Sequence, residues 1–426
     1  MKSALCFLIA AKRCEIAGLR QLALTSALVD ATGHLVHALQ RERGVSNLYL
    51  ASQGQRWAAD REARVEQSEA LQARVLASFD SLDTEDAQSG SRARLFGRIA
   101  YALQGLNALP RLRERVQSQA WTAARATSAY IRLINALLAV VFEAADSAWD
   151  PDISRRLVAL FNFLQGKEFA GQERATGSAL FAAGRADANG QQRLLHLIES
   201  QERCLQVFAD FASEAPRSTW QQAQRPEQLA LLERQRRILC TTPAGHALDA
   251  GLSQTWFDAC TARIDAMKTV EDALTAELLA LCRQRQQTAG QELAAFEKLR
   301  DSLTQPGDSS GADFFEDSAQ AQPLPVGLTH PGQGFGPQVE RSILELVQDQ
   351  AQRLQSMGDE LDTVRASLTE RKTIERAKGL LMAHRQLSED EAHKTMRQMA
   401  MNQNRRLVEV ADAVLAMAEV LPQRGR

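Results

Sequence analysis

Apolar residues in this chain return at every third or fourth position over most of its length, and almost nowhere at every second. That period lines them up along one side of an α-helix, whereas a half-buried strand needs strict alternation. No alternating run bounded by hairpin turns is present. Composition points the same way. Aromatic residues are 5% of the 426, and good helix formers (Ala, Leu, Gln, Glu, Arg) dominate. With 45% apolar residues the chain can bury a sizeable core. The expected class is all-α.

Residues 1–300 read as about eight long amphipathic helices, which two four-helix bundles would absorb. Pro110, Pro151, Pro216, Pro226 and Pro243 punctuate them, as does the Gly184–Gly190 cluster. Residues 301–337 are rich in Pro, Gly, Ser and Asp and read as a flexible linker. From 338 to 370, Ile343, Val347, Gln350, Leu354, Met357, Leu361, Val364 and Leu368 are spaced alternately by four and three. Such a seam predicts a coiled coil that pairs two copies of the chain, the alternative being a helix that lays this stripe on its own domain. Residues 371–424 predict a three-helix module. Its first helix buries Ile374, Ala377, Leu381 and His384. The second starts at Ser388, with Glu391 completing a capping box. The third carries a stripe of Leu407, Val410, Ala411, Val414 and Met417.

Several function classes fall away. The formal net charge is −2, so the whole chain carries no nucleic-acid signal, although residues 369–426 hold 11 basic and 8 acidic residues. Six cysteines form no CxxC pair and lie near no histidine cluster, which argues for reduced thiols. The opening MKSALCFLIAAKRCE lacks a cleavage site, and Lys12, Arg13 and Glu15 interrupt it. No continuous apolar run reaches the roughly 18–20 residues of a membrane span. The expectation is a soluble, cytoplasmic protein without a membrane partner. No P-loop, GxGxxG after a strand, HExxH or GxSxG occurs, so neither an enzyme nor a bound cofactor is expected.

The C-terminal part is more specific. IERAKGLLM (Ile374–Met382), LSEDEA (Leu387–Ala392), the pair Met396–Arg397, and Asn404, Leu407, Val410 and Ala411 follow one another without gaps. This stretch resembles the ANTAR domain, an RNA-binding module of bacterial antitermination regulators. The resemblance implies recognition of paired RNA hairpins, whose loops expose unstacked bases and whose phosphates call for cations. Lys378, Arg376, Arg371, Lys372, Arg397, Arg405 and Arg406 are the candidate cations. His393 stands where the family usually carries an aromatic residue and Ala400 where a serine is usual; His393 remains a candidate for base stacking.

At the other end, ALQRERGVSNLYLAS (Ala38–Ser52) and FLIAAKRCEIAGLRQLA (Phe7–Ala23) resemble the NIT domain, which senses nitrate and nitrite. Domain order, NIT first and ANTAR last, resembles that of nitrate-responsive antiterminators. The resemblance implies a nitrate or nitrite ligand, a leader-RNA target and control of nitrate assimilation genes. Guanidinium suits a planar oxyanion, being planar itself and permanently charged. Arg43 interrupts the apolar pattern Val36, Leu39, Leu50. A faint echo pairs QRERGVSNLYLA (Gln40–Ala51) with GQERATGSALFA (Gly171–Ala182), which aligns Glu42–Arg43 with Glu173–Arg174. Arg236 shares a face with Leu232 and Leu239, with Arg237 its competitor. The family is understood to hold its anion between arginines of different helices, which implies Arg43, Arg236 and Arg174, with Arg41 farther out. Two rival readings stay open: a sensor for another small anion or a protein partner, and a helical regulator that does not bind RNA.

Overall fold

The computed structural model describes residues 4–82, 90–302, 337–385, 387, 389–403 and 405–420. Among them are twelve helices and no strand: α1 (Ala4–Ala51), α2 (Ala58–Asp80), α3 (Gly90–Gln117), α4 (Ala123–Ser147), α5 (Pro151–Ala183), α6 (Ala188–Phe211), α7 (Glu214–Ala223), α8 (Pro226–Thr241), α9 (Leu252–Ser302), α10 (Pro337–Arg385), α11 (Glu389–Gln403) and α12 (Leu407–Val420). Nine of them precede residue 303, against the eight expected, because the short α7 separates α6 from α8.

Local chemistry sets the boundaries. Asp150 caps α5 by accepting from the Ile153 N–H at 2.9 Å, Pro151 sits in the first turn, and Gly184 ends the helix at φ 65°. Asp187 repeats the cap for α6, accepting from the Gly190 N–H at 2.7 Å. Two helices, α1 and α4, are long and apolar enough to cross a membrane, and each buries most of its apolar window within the chain, 67% and 61%.

The chain forms two compact units. One joins Met1–Ala23 to Ala280–Glu360. Its core is Leu5, Leu8 and Ile9 of α1 against Leu293, Phe296 and Leu299 of α9 and Leu346 of α10. Around that core the buried Lys12 pairs with Glu15 and Glu292, and Arg353 of α10 reaches both carboxylates.

The other unit joins Leu24–Leu279 to Leu361–Arg426. Within it α1 packs with α2, α3 and α4, as the bonds of Glu42 to Arg113 and Tyr130 and of Arg113 to Glu69 attest. Helix α5 packs with α6, α8 and α9 around Phe181, Leu194, Leu232, Leu239 and Trp256. Phe163 of α5 meets Phe208 of α6 and Trp220 of α7 at 4.8 and 5.5 Å. These are two four-helix sets, and α7 is an insertion in the second.

Helices α10, α11 and α12 close a small core of Ala377, Leu381, Ala392, Met396, Ala400, Val410, Ala411 and Val414. One expectation of this core needs correction. His384 and Met417 are exposed, because the shared core stops at Leu381 on α10 and at Val414 on α12. Of the predicted seam, Leu361, Val364 and Leu368 are buried within the chain while Leu354 is 56% exposed. The side chains of Ile343, Val347 and Gln350, the capping residue Ser388, Asn404 and linker residues 303–336 lie outside the described residues.

Candidate functional site

The two four-helix sets meet along α1 and α5. Gly33 faces Leu164, Gln40 faces Glu168, Arg43 faces Gly171 and Gly44 faces Arg174. Residue numbers rise together on both helices, so the helices run parallel. Their offset stays close to the spacing of the two E-R motifs, which therefore sit side by side at one level. Glycines make this possible. A Cβ on Gly171 would lie 2.8 Å from Nη2 of Arg43, and one on Gly44 would lie 3.3 Å from Nη2 of Arg174.

The acidic member of each motif is held in the same way. Glu42 accepts from Nε and Nη2 of Arg113 on α3, at 2.9 and 3.0 Å, and from the Tyr130 hydroxyl at 2.8 Å. Glu173 accepts from Nε and Nη2 of Arg236 on α8, at 2.6 and 2.7 Å, and from the Gln201 amide. Each clamping arginine comes from the third helix of its set, so the faint sequence echo is the trace of a structural repeat. Arg113 had no signal of its own in the sequence, since only this pairing across 71 residues distinguishes it.

The basic members behave differently from each other. Arg43 is 2% exposed and donates to both oxygens of Glu168, at 2.6 and 3.2 Å. Gln40 and Gln172 each add a bond of 2.9 Å to Glu168, which saturates that carboxylate. Arg174 has no carboxylate within ion-pair distance among the described residues. Nη1 donates to the Thr261 hydroxyl at 2.9 Å and its guanidinium lies 4.8 Å from the centre of the Phe257 ring. Burial, followed by the charge of Arg43, holds its pKa below the usual arginine value. Two guanidiniums thus share one carboxylate. Arg174 feels Glu168 and Asp265 without pairing with either, so its fork is the one at this level that a small monoanion could engage without displacing an ion-pair partner of its own.

The remaining sensor candidates fall elsewhere. Arg236, not Arg237, is the buried residue of its pair, and it is committed to Glu173 and Glu233. Burial lowers its pKa, but those two carboxylates outweigh it and the net shift is upward. Arg41 is exposed.

The C-terminal candidates divide into two groups. Five side chains rest on the sensor helices. On α10, Nη1 of Arg371 donates to the Asn162 side chain at 3.1 Å, with its guanidinium 4.6 Å from the Phe161 ring centre. Next to it, Lys372 lies 2.6 Å from Asp146 and stands over Phe142. On α11, the His393 ring meets that of His196 at a tilt, with centres 4.9 Å apart, Lys394 bonds Gln192 at 3.2 Å and Arg397 pairs with Glu199 at 2.5 Å. Gln192, His196 and Glu199 form one face of α6. His393 is 5% exposed, and burial followed by Arg203 and His196 pushes its pKa down to about 3. The second group faces inward or outward within the module. Lys378 is 7% exposed and pairs with Glu375. Arg376 is exposed, and Arg405 and Arg406 are exposed beside Glu409.

Known proteins match both ends of this arrangement. A family model described as nitrate and nitrite sensing (NIT) matches residues 34–279, and the ANTAR domain model matches residues 362–415. The nitrate regulatory protein of Klebsiella oxytoca is 33% identical over 407 residues, covering 96% of this chain and 93% of that protein. The solved structure of the NasR transcription antiterminator is 31% identical with a TM-score of 0.59, covering 97% of this chain and 99% of that one.

Proposed function

This chain belongs to the family of nitrate- and nitrite-sensing (NIT) proteins that end in an ANTAR domain, and from that premise we propose a switch in which an anion bound between Arg43 and Arg174 frees the C-terminal module for RNA. It is a nitrate-responsive transcription antitermination regulator of the NasR type. Both matched domains are regulatory, one sensing and one RNA-binding, and no catalytic step is assigned to either.

The observation that carries the proposal is Arg174, buried beside Arg43 with no carboxylate in ion-pair contact among the described residues. Nitrate or nitrite placed there would accept from both guanidiniums and give Arg174 a direct anionic partner between α1 and α5. Glu168 already occupies the fork of Arg43 as a carboxylate. An entering anion therefore competes with it, and any shift of Glu168 moves α5. Helix α5 also carries Phe161 and Asn162, on which Arg371 rests. This gives the site a short mechanical route to the docked module. With Arg371, Lys372, His393 and Arg397 held on α4, α5 and α6, the module is masked from RNA, and its release exposes them together. Arg376, Arg405 and Arg406 would join them on a leader RNA. Two hairpins suit two copies of the module, so the reading includes a homodimer formed along α10, in the cytoplasm where transcription occurs.

The test is binding of the full chain to a labelled two-hairpin leader RNA at fixed salt, with and without nitrate. Tight binding only with nitrate, lost in Arg174→Met, is expected. Equal binding in both conditions would remove the anion as the switch.

A further inference from the structure

A second small cavity lies between α7, the start of α8 and α9. Trp220, Gln224, Arg225, Gln228, Leu229 and Arg263 line it, and its volume is about 30 Å³. Two nitrogens of Arg263, Nε and Nη1, are buried and have no hydrogen-bond partner among the described residues. Buried donors of a cation left without acceptors are costly unless something fills them. Nothing acidic lines the cavity, and every polar group there is able to donate: guanidinium, amide and indole N–H.

The start of α8 adds to this. Its flanking residue Arg225 makes no side-chain cap, and Pro226 occupies the first turn. The Leu229 N–H is the first to find a helical acceptor, at Arg225 O, 3.0 Å away. The N–H groups of Glu227 and Gln228 therefore have no acceptor within the helix, where Glu227 is the acidic residue of the first turn.

We propose that this cavity is a second anion site, taking a small inorganic monoanion of halide or nitrite size on Arg263 and the start of α8. Size sets the specificity. A volume of about 30 Å³ is that of one or two water molecules, which favours a halide over the larger sulfate or phosphate. The site is separate from the α1–α5 level, yet not isolated from it. Arg236, Glu173 and Glu233 all lie close enough for their charges to act on Arg263, and Arg236 clamps Glu173, the neighbour of Arg174.

The test uses thermal unfolding of the full chain carrying Arg174→Met, which removes that cation from the first site. Sodium bromide replaces sodium gluconate at constant ionic strength. A saturable rise in Tm, absent with sodium sulfate and lost on adding Arg263→Gln, is expected. Arg263→Lys keeps the charge but not the planar fork and should weaken the response several-fold. Bromide-grown crystals of the full chain should then place an anomalous scatterer within hydrogen-bond distance of Nε and Nη1. The proposal is overturned if Arg263→Gln responds to bromide as its parent does. It is equally overturned if bromide has no saturable effect and Arg263→Met simply raises Tm, since the guanidinium would then be an unpaired charge and nothing more.

Discussion

Arg43 and Arg174 stand side by side, but their removal leaves different things behind. Without Arg43, Glu168 stays buried with only Gln40 and Gln172 as donors. Breaking a buried pair from one side typically loses about 3–5 kcal/mol, so Arg43→Ala should destabilise the ligand-free chain by that order. Without Arg174, no carboxylate is orphaned. Arg174→Met should raise ligand-free stability by about 1 kcal/mol, since a buried charge without an ion-pair partner leaves a mostly apolar contact with Phe257. It should also abolish the stabilisation that nitrate confers. Urea midpoints with and without nitrate separate the two variants, and a loss of stability in both would make Arg174 a structural residue only. The E-R echo made both arginines legible in the sequence, because an arginine repeated inside an apolar pattern is rare enough to notice. Which acid each would meet was less legible: Glu168 was one of several candidate partners, and the clamp of Arg113 on Glu42 gave no signal. Glu168 and Arg113 look like any charged residue on a helix, and what marks them is a contact across 125 or 71 residues.

Helix α5 explains why the element scale is harder to read than the fold class. From Ile153 to Glu173 it is buried on nearly every side, and the buried set includes Asn162, Gln165, Lys167, Glu168, Gln172 and Glu173. A polar face normally means solvent, so the sequence pattern alone reads this helix as amphipathic and peripheral. Here most of these polar groups have found a partner instead, Lys167 with Glu271 for example. The α-helical class and the three-helix module follow from period alone, whereas the central place of α5 does not. Packing around it is tight enough to reverse a general rule. Alanine usually stabilises a helix over glycine by about 1 kcal/mol. At Gly177 an added Cβ would stand 2.3 Å from the Trp256 ring, whose indole N–H is fixed by a 3.0 Å bond to the Arg174 carbonyl. Gly177→Ala should therefore destabilise the chain by about 1–3 kcal/mol through overpacking and weaken nitrate binding through Arg174. Chemical denaturation checks the first part, and a stabilised variant would show that α5 and α9 have room to separate.

Across the whole molecule, what matters is how firmly the module is held on the sensor helices, a contact no residue pattern announces because cations bound for acids and cations bound for RNA look alike in sequence. His393 gives that contact a pH dependence. Docked, it is kept neutral by burial and by Arg203 and His196 of α6, with Lys378 and Arg397 of its own module adding to the effect, and its pKa falls from 6.5 to about 3. Released, it regains its ordinary value. The released state then binds the extra proton, so docking is intact above pH 6.5 and weakens steadily as the pH falls below it. The ratio of nitrate-saturated to nitrate-free RNA affinity should shrink between pH 7.5 and 5.5, and His393→Gln should flatten that trend. Charge reversal on the sensor side tests the same contact without touching an RNA-facing residue. Throwing a switch from 1:99 to 99:1 takes roughly 5.5 kcal/mol, and an exposed ion pair holds about 0–1 kcal/mol. Glu199 is partly exposed, so Glu199→Lys alone, which turns attraction to Arg397 into repulsion, should raise nitrate-free RNA binding only several-fold. Asp146 is 9% exposed and meets Lys372 beside Phe142, so its pair is less screened. Asp146→Lys together with Glu199→Lys should bring nitrate-free binding most of the way to the nitrate-saturated level, with little further response to nitrate. If the double variant stays closed and still opens fully with nitrate, these two pairs do not hold the module down, and the aromatic contacts of Arg371 and His393 must carry the restraint.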